Sequence, residues 1–300
     1  MGQSDNMKPS SRRAGPSSGR LTTGRRTARL TLEQCRGRSA STASKPARGG
    51  TSPRPAATAS ETLADRRKRA RKIVAGLRKL YPQADCELKH HSAYELLVAT
   101  ILSAQSTDET VNKVTPVLLA KYPTPGVLAE ANPAEVESIV RPTGFFRQKT
   151  RSIIGACKKI MADSGGQVPA SMAELTQLPG VARKTANVVL GTWFGQNEGV
   201  VVDTHVGRLA HRLGLTWSSK NEKDAVKIEQ DLMQVLPREA WTYVGHTLIW
   251  HGRRVCSARK PDCAACTLNM LCPSAFTFEP SSGGGGSAQR PTTAPRGRSV

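Results

Sequence analysis

No apolar run in this 300-residue chain approaches the length needed to span a bilayer, so no membrane-crossing helix is expected. The start lacks an apolar h-region, which excludes a secretory signal. Strict alternation of apolar and polar residues is scarce and no repeat of fixed period is present, which argues against sheet-built and solenoid architectures. Acids are scarce at both ends. Residues 1–60 carry twelve Lys and Arg against two acids, Asp5 and Glu33, and residues 280–300 carry three Arg and no acid. Large apolar residues are almost missing from the first sixty positions, which are rich in Ser, Thr, Gly, Pro and Arg. Such a segment cannot bury enough surface to offset its ordering entropy, and we read 1–60 as a disordered basic arm. Its Arg- and Ser-rich, acid-poor composition resembles a mitochondrial transit peptide, but a solvated arm that adds non-specific DNA affinity is the preferred reading. Residues 280–300, with Gly283–Gly286, are read as a second disordered tail.

What is present lies between those ends. Residues 61–279 hold 29 basic and 21 acidic residues, a net of +8 on top of the basic tails, which suits a polyanionic partner. Helix signals recur throughout, and the fold class read from them is all-α. Ile73, Leu77 and Leu80 keep helical spacing in a helix expected from Ser60 to Tyr81, with a basic face at Arg66–Arg71 and Pro82 closing it. Ser92-Ala93-Tyr94-Glu95 is a capping box, and the segment Tyr94–Leu102 behind it is apolar nearly all round, the mark of a buried helix. LSAQSTD (Leu102–Asp108) leads into a helix ending near Lys121. Asn132-Pro133-Ala134-Glu135 combines an N-cap, a proline at N1 and an acid at N3. GFFRQK (Gly144–Lys149) opens a helix to about Asp163, and Ser171-Met172-Ala173-Glu174 is a second capping box. Further helices are expected at Val206–Leu213, Asn221–Leu236 and Arg238–His251.

The chemistry concentrates in LPGVARKTANVVLGTWFGQNEGVVVDTH, Leu178–His205. Gly180 can take the positive φ of a tight turn, and Arg183–Leu190 reads as a helix with Ala186, Val189 and Leu190 on one face. The unit is a helix, a glycine turn and a second helix whose first backbone N–H groups suit a phosphate oxygen. Lys184 falls in the first turn, where the helix dipole opposes an ammonium; partial desolvation there would make it an amine nucleophile. Asp203 stands between the apolar Val200–Val202 and the polar Thr204–His205, a setting for a carboxylate aimed into a cleft. The plainer alternatives are a solvated lysine and an aspartate N-cap.

Four of the seven cysteines, Cys256, Cys263, Cys266 and Cys272, fall in a C-x6-C-x2-C-x5-C pattern. Without a secretory signal this is a metal site rather than a disulfide pair, and Cys₄ zinc and a [4Fe–4S] cluster fit equally. Arg254, Arg259 and Lys260 beside or within that loop suit phosphate contacts. Cys35, Cys86 and Cys157 are scattered and read as unreactive thiols.

LPGVARKTA followed by VDTH, with the cysteine loop and its adjoining HGR (His251–Arg253) and ARK (Ala258–Lys260), resembles the endonuclease III family of DNA repair glycosylases over residues 62–273. The resemblance implies two helical lobes with a DNA groove between them. One is a six-helix-type domain, 87–196, ending in a helix-hairpin-helix at 171–193; the other joins 62–86 to 197–273 and carries a [4Fe–4S] cluster on the four cysteines. It makes Lys184 the Schiff-base nucleophile and Asp203 the essential carboxylate. Gln105 fills the space left by a flipped nucleotide, and Phe145 stands where the family tends to carry a leucine wedge. Gly180, Ala182, Arg183 and Arg254 join them as DNA contacts, Ala182 replacing the hairpin's second glycine with αR geometry expected. The implied enzyme is a bifunctional glycosylase and AP lyase, cutting double-stranded DNA at oxidised pyrimidines or abasic sites by β-elimination. It would be a monomer without membrane association, cytoplasmic and, in a bacterium, at the nucleoid. Two alternatives stand beside it: a monofunctional adenine glycosylase, opposed by Lys184 and by the short stretch after Cys272, and a non-catalytic iron–sulfur or zinc DNA-binding protein.

Overall fold

A computed structural model describes residues 61–277; the basic arm and the tail expected at the two ends lie outside the described residues. Among the described residues every regular element is helical and none is a strand, as an all-α fold requires. No helix among them is long and apolar enough to cross a membrane.

Helix α1 (Leu63–Leu80) starts where Thr62 accepts the Asp65 N–H, and it buries Ala70, Ile73, Val74 and Leu77, a single helical stripe. Helix α2 (Ala93–Leu102) is buried from Tyr94 to Leu102, so the all-round apolar segment is the central rod of its lobe. Ser92 caps it by accepting the Glu95 N–H, and the Glu95 carboxylate accepts from His91 N. That return bond falls one residue earlier than in the standard capping box. Helix α3 (Asp108–Lys121) follows with Thr107 as N-cap. The short α4 (Pro125–Ala129) is absent from the sequence-based expectations: five residues are too few to display a period, and only the Thr124-Pro125 start marks it. Helix α5 (Pro133–Val140) begins on Asn132 as expected. Helix α6 (Phe146–Ser164) ends at Gly165, whose left-handed conformation lets its N–H reach Ile160 O.

The hairpin is α7 (Met172–Leu175) and α8 (Arg183–Thr192), and α9 (Thr204–Arg212) follows directly on Asp203. Helix α10 (Ala225–Val235) starts later than the expected Asn221. The Asn221 side chain instead accepts from Lys223 N in a turn, and Asp224 serves as the cap. Helix α11 (Trp241–Arg254) follows a 3₁₀ turn at Arg238–Ala240 and runs three residues beyond the expected end.

These helices bury two hydrophobic clusters. The first gathers Leu96, Leu97, Leu102, Leu118, Leu128, Ile153, Ile160, Leu175 and Leu190. The second gathers Ile73, Leu77, Leu209, Ile228, Leu232, Trp241 and Leu248. Each fully buried side chain of this kind contributes about 1.5–3 kcal/mol relative to exposure. Where the chain passes from α8 to α9, Val201 enters the first cluster while Val200 and Val202 enter the second. Asp203, one residue on, is therefore fixed at the junction of the two.

Candidate active site

Residues from both clusters line a cleft of about 190 Å³ at that junction. Lys184 and Val188 of α8 face it, together with Val201 and Asp203, Thr100 of α2, and Ser103, Ser106 and Asp108 from the start of α3 and the loop before it. His246, Ile249, Trp250 and Arg253 of α11 complete the far wall with Asp85, Cys86, Glu87 and Leu88. The two residues singled out by sequence, nineteen positions apart, thus share one cavity.

Local structure explains each placement. Gly180 has φ +78, and a Cβ on it would lie 2.6 Å from Ser152 Cβ, so both the turn and the packing require glycine. Leu178 and Val181 are buried and pin the turn to the first cluster. Ala182 is the N-cap of α8 with φ −93 and ψ 170, extended rather than the αR geometry expected of it, and alanine adopts this without strain. It has no side-chain oxygen, so the first-turn N–H groups of α8 receive no cap and stay available to an anion. Lys184 is exposed within the cleft; the partial desolvation expected for it is not found. Arg183, an expected DNA contact, is held by the Glu229 carboxylate at 3.0 and 3.1 Å and donates to Glu198 O, which joins α8 with α10.

Asp203 carries both readings at once. Its Oδ1 caps α9, accepting from His205 N at 2.9 Å and Val206 N at 2.8 Å, and neither bond uses Oδ2. Capping fixes the carboxylate in place while the residue still lines the cleft. Burial lowers the His205 pKa, with Asp203 opposing the shift and Arg208 adding to it.

The far wall holds groups that motif reading did not find. Arg253 pairs with Glu87 and, at 2.9 Å, with Asp108. Burial works against its charge, but Asp108, Glu87 and Asp203 more than compensate and raise its pKa. His246 is buried, with Nε2 3.2 Å from Thr192 Oγ1, and burial lowers its pKa. Burial also pushes the Cys86 thiol up to about 11, so it is an inert part of the wall. Glu87, Asp108 and His246 come from three distant segments with no shared spacing, and no local signal marks them. Four carboxylates (Asp85, Glu87, Asp108, Asp203) face two cations (Lys184, Arg253), a wall that favours positive charge developing inside.

Gln105 and Phe145 lie outside the cleft lining. Gln105 sits between Ser103 and Ser106, which do line it, and Phe145 is the N-cap of α6. Among the described residues only these two and Phe276 combine a side chain with positive φ, at 52° and 47° for the pair. Strain of this sort costs about 1–3 kcal/mol per residue and concentrates at functional loops. Phe145 is also 67% exposed, with its loop tied down by buried Lys149, whose Nζ donates to Thr143 O at 2.7 Å. Arg254 ends α11 with its guanidinium 4.1 Å from the Trp250 ring centroid.

The four cysteines line a second pocket, backed by Leu209, Leu213, Val255 and Ala275. Burial raises the Cys272 pKa to about 11 and also raises that of Cys266, with Cys256 and Cys263 adding to both shifts. Arg212 Nη1 lies 3.2 Å from Cys256 Sγ, and His251 Nε2 lies 3.3 Å from Cys266 Sγ. Among the described residues no three His, Cys, Asp or Glu side chains converge tightly enough to hold one ion.

A helix-hairpin-helix whose second helix and following N-cap bring a lysine and an aspartate to an interlobe cleft defines a class of DNA repair proteins. Residues 98–238 match the HhH-GPD superfamily of base excision DNA repair proteins. More narrowly, the chain belongs to the endonuclease III family. It is 52% identical to the endonuclease III of Synechocystis sp. over 213 residues, 71% of this chain and 95% of that protein. It is 43% identical to that of Bacillus subtilis, over 64% of this chain and 86% of that protein. Among solved structures it is similar to a trapped endonuclease III–DNA covalent intermediate, with a TM-score of 0.65 and 39% identity across 70% of this chain and 97% of that one. A thermostable thymine-DNA glycosylase shares the fold at 19% identity and a TM-score of 0.62.

Proposed function

We infer that this protein is a bifunctional DNA glycosylase and AP lyase of base excision repair, acting on double-stranded DNA at oxidised pyrimidines and abasic sites. The observation that carries the reading is the convergence of Lys184 and Asp203 on one acidic cleft. A base inside a duplex is out of reach, so the target nucleotide must be turned out of the stack. Gln105 and Phe145, strained and exposed, are the residues that enter the duplex, and the uncapped start of α8 with Gly180 holds a backbone phosphate. Arg254 adds a charge at the margin.

Inside the cleft the Lys184 amine attacks C1′ of the flipped nucleotide. The N–C1′ bond forms as the glycosidic bond breaks, and the base leaves with that electron pair. Attack needs the neutral amine, and Asp203 is the carboxylate placed to take its proton and then to face the positive charge growing on the sugar. The nitrogen lone pair then forms the C=N bond as the C1′–O4′ ring bond breaks and O4′ takes a proton, and the resulting protonated imine acidifies the C2′ hydrogen. Removal of that hydrogen expels the 3′ phosphate by β-elimination. On an abasic site the same lysine starts from the ring-opened aldehyde.

Cys256, Cys263, Cys266 and Cys272 line one pocket, and as four thiolate donors they would hold a [4Fe–4S] cluster. Bound there, such a cluster would tie together the loop that follows α11, and no step of the reaction is routed through it. The protein works as a monomer. The two alternatives are less well supported: a monofunctional adenine glycosylase has no use for Lys184, and a non-catalytic binder has none for an acidic cleft.

Borohydride trapping on abasic duplex DNA tests the reading. Wild-type protein is expected to become covalently linked, and Lys184→Gln to lose all linkage while retaining duplex affinity. Normal trapping by Lys184→Gln would remove the lysine from the mechanism.

A further inference from the structure

Behind the cysteine pocket lies a run of contacts that the reaction does not use. Tyr81, at the C-cap of α1, is buried, and its hydroxyl is 3.0 Å from His251 Nδ1. His251 is 3% exposed on α11, and its other ring nitrogen, Nε2, is 3.3 Å from Cys266 Sγ. The main chain of the same residue accepts the Cys256 N–H at 2.8 Å, so His251 touches two of the four cysteine positions. Tyr81 is itself fixed on several sides. Its carbonyl accepts from the Tyr243 hydroxyl at 3.0 Å, its ring meets Trp250 edge-on at 6.2 Å, and the Arg254 guanidinium lies 5.9 Å from its centroid.

We propose that Tyr81 and His251 form a two-step hydrogen-bond relay, Tyr81 O–H to Nδ1 and Nε2–H to Cys266 Sγ, that sets the reduction potential of the cluster bound by the four cysteines. The direction of both bonds follows from counting hydrogens. A cysteine sulfur that ligates iron carries none, so a bond at Nε2 must be donated by the ring. A neutral imidazole has one N–H, so with Nε2 donating, Nδ1 is left as an acceptor in a buried site. Tyr81 supplies the donor within reach, and thereby fixes the tautomer. An N–H···S bond stabilises the more electron-rich, reduced cluster over the oxidised one, since hydrogen bonds to the sulfurs are among the determinants of cluster potential. Tyr81 is thus a positioning residue: it acts on the cluster only through His251.

The relay rests on the cluster reading above, and the test separates the two. Iron is quantified in purified wild-type, Tyr81→Phe, His251→Gln and His251→Leu proteins, and the cluster potential is measured by protein-film voltammetry. Tyr81→Phe is expected to lower the potential by about 59 mV, the equivalent of a tenfold change in a one-electron equilibrium. His251→Leu should lower it further, and His251→Gln, whose amide still donates, should recover part of the difference. A second measurement needs no variant. In wild-type protein labelled with [15N]histidine, pulsed EPR of the paramagnetic cluster should detect one histidine nitrogen coupled through the hydrogen bond. Iron-free wild-type protein overturns the cluster and the relay together. Iron-replete Tyr81→Phe at the wild-type potential, or a wild-type cluster with no coupled histidine nitrogen, overturns the relay and leaves the cluster standing.

Discussion

Helix α11 serves two cavities of opposite character. Trp250 and Arg253 line the cleft of Lys184 and Asp203, while His251, one residue from Trp250, lines the cysteine pocket. In the cleft two of the charged groups are held in place by the protein itself. Arg253 sits between Glu87 and Asp108, and Asp203 rests on two backbone amides of α9. In the cysteine pocket burial against an apolar backing raises the pKa of Cys266 and Cys272, with Cys256 and Cys263 adding to it, and the protein's own donors, Arg212 and His251, reach two of the four sulfurs. The cleft is preorganised by folding alone. On the cluster reading, the cysteine loop would need a positively charged partner, and its structure would be coupled to binding that partner.

Breaking each side should therefore give different signatures. Cys272→Ala is expected to have the largest effect: loss of iron together with several kcal/mol of stability, since metal binding of this type is part of the folding free energy. Thermal unfolding followed beside iron content checks it, and an iron-free variant as stable as wild type would place the loop outside the fold's energetics. On the cleft side, Asp203→Asn should lower single-turnover strand cleavage about 10²–10⁴-fold. Its melting temperature should move little, because asparagine caps a helix as well as aspartate does. A large loss of stability with normal cleavage would reverse the assignment and leave Asp203 a cap alone.

Gly180→Ala tests the hairpin. A side chain at φ +78 that meets Ser152 at 2.6 Å should cost about 1–3 kcal/mol in chemical denaturation and weaken duplex binding in titrations. Wild-type affinity in this variant would detach the hairpin turn from phosphate binding. The smallest effect is expected away from both cavities, at Asp231. Burial pushes its pKa up, but hydrogen bonds from Thr216, Ser218 and Trp217 to Oδ2 outweigh this and bring it below the ordinary 3.8. A depressed carboxylate adds stability that is fully present above its unfolded pKa and lost as pH falls through the folded one. Asp231→Asn should therefore cost about 1 kcal/mol near neutrality and shrink that cost below pH 3.8. A cost that stays constant across this window would assign the effect to packing.

Local chemistry accounts for what the sequence alone determined. Ser92, Asn132 and Ser171 announce helix starts because a short oxygen-bearing side chain satisfies N–H groups two or three residues on, a relation contained within one turn. Gly180 is legible for the same reason, its positive φ being a property of the turn itself. The hairpin lysine, the aspartate before Thr204 and the cysteine spacing are likewise readable as short strings. The departures arise where a neighbour distant in sequence decides. Arg183 meets Glu229 only because α10 packs against α8, and Lys184 reads as desolvated until the cleft around it proves open. The Arg253 ion pairs, His246 on the cleft wall and the Tyr81–His251–Cys266 contacts join segments up to 185 residues apart, as Tyr81 and Cys266 lie in the numbering. Such pairings are set by how helices pack, and packing depends on the shapes of two buried cores rather than on any spacing along the chain. The sequence specified the helices, the turn and the reactive residue types; only the packed tertiary structure decided which charges meet, and in which cavity.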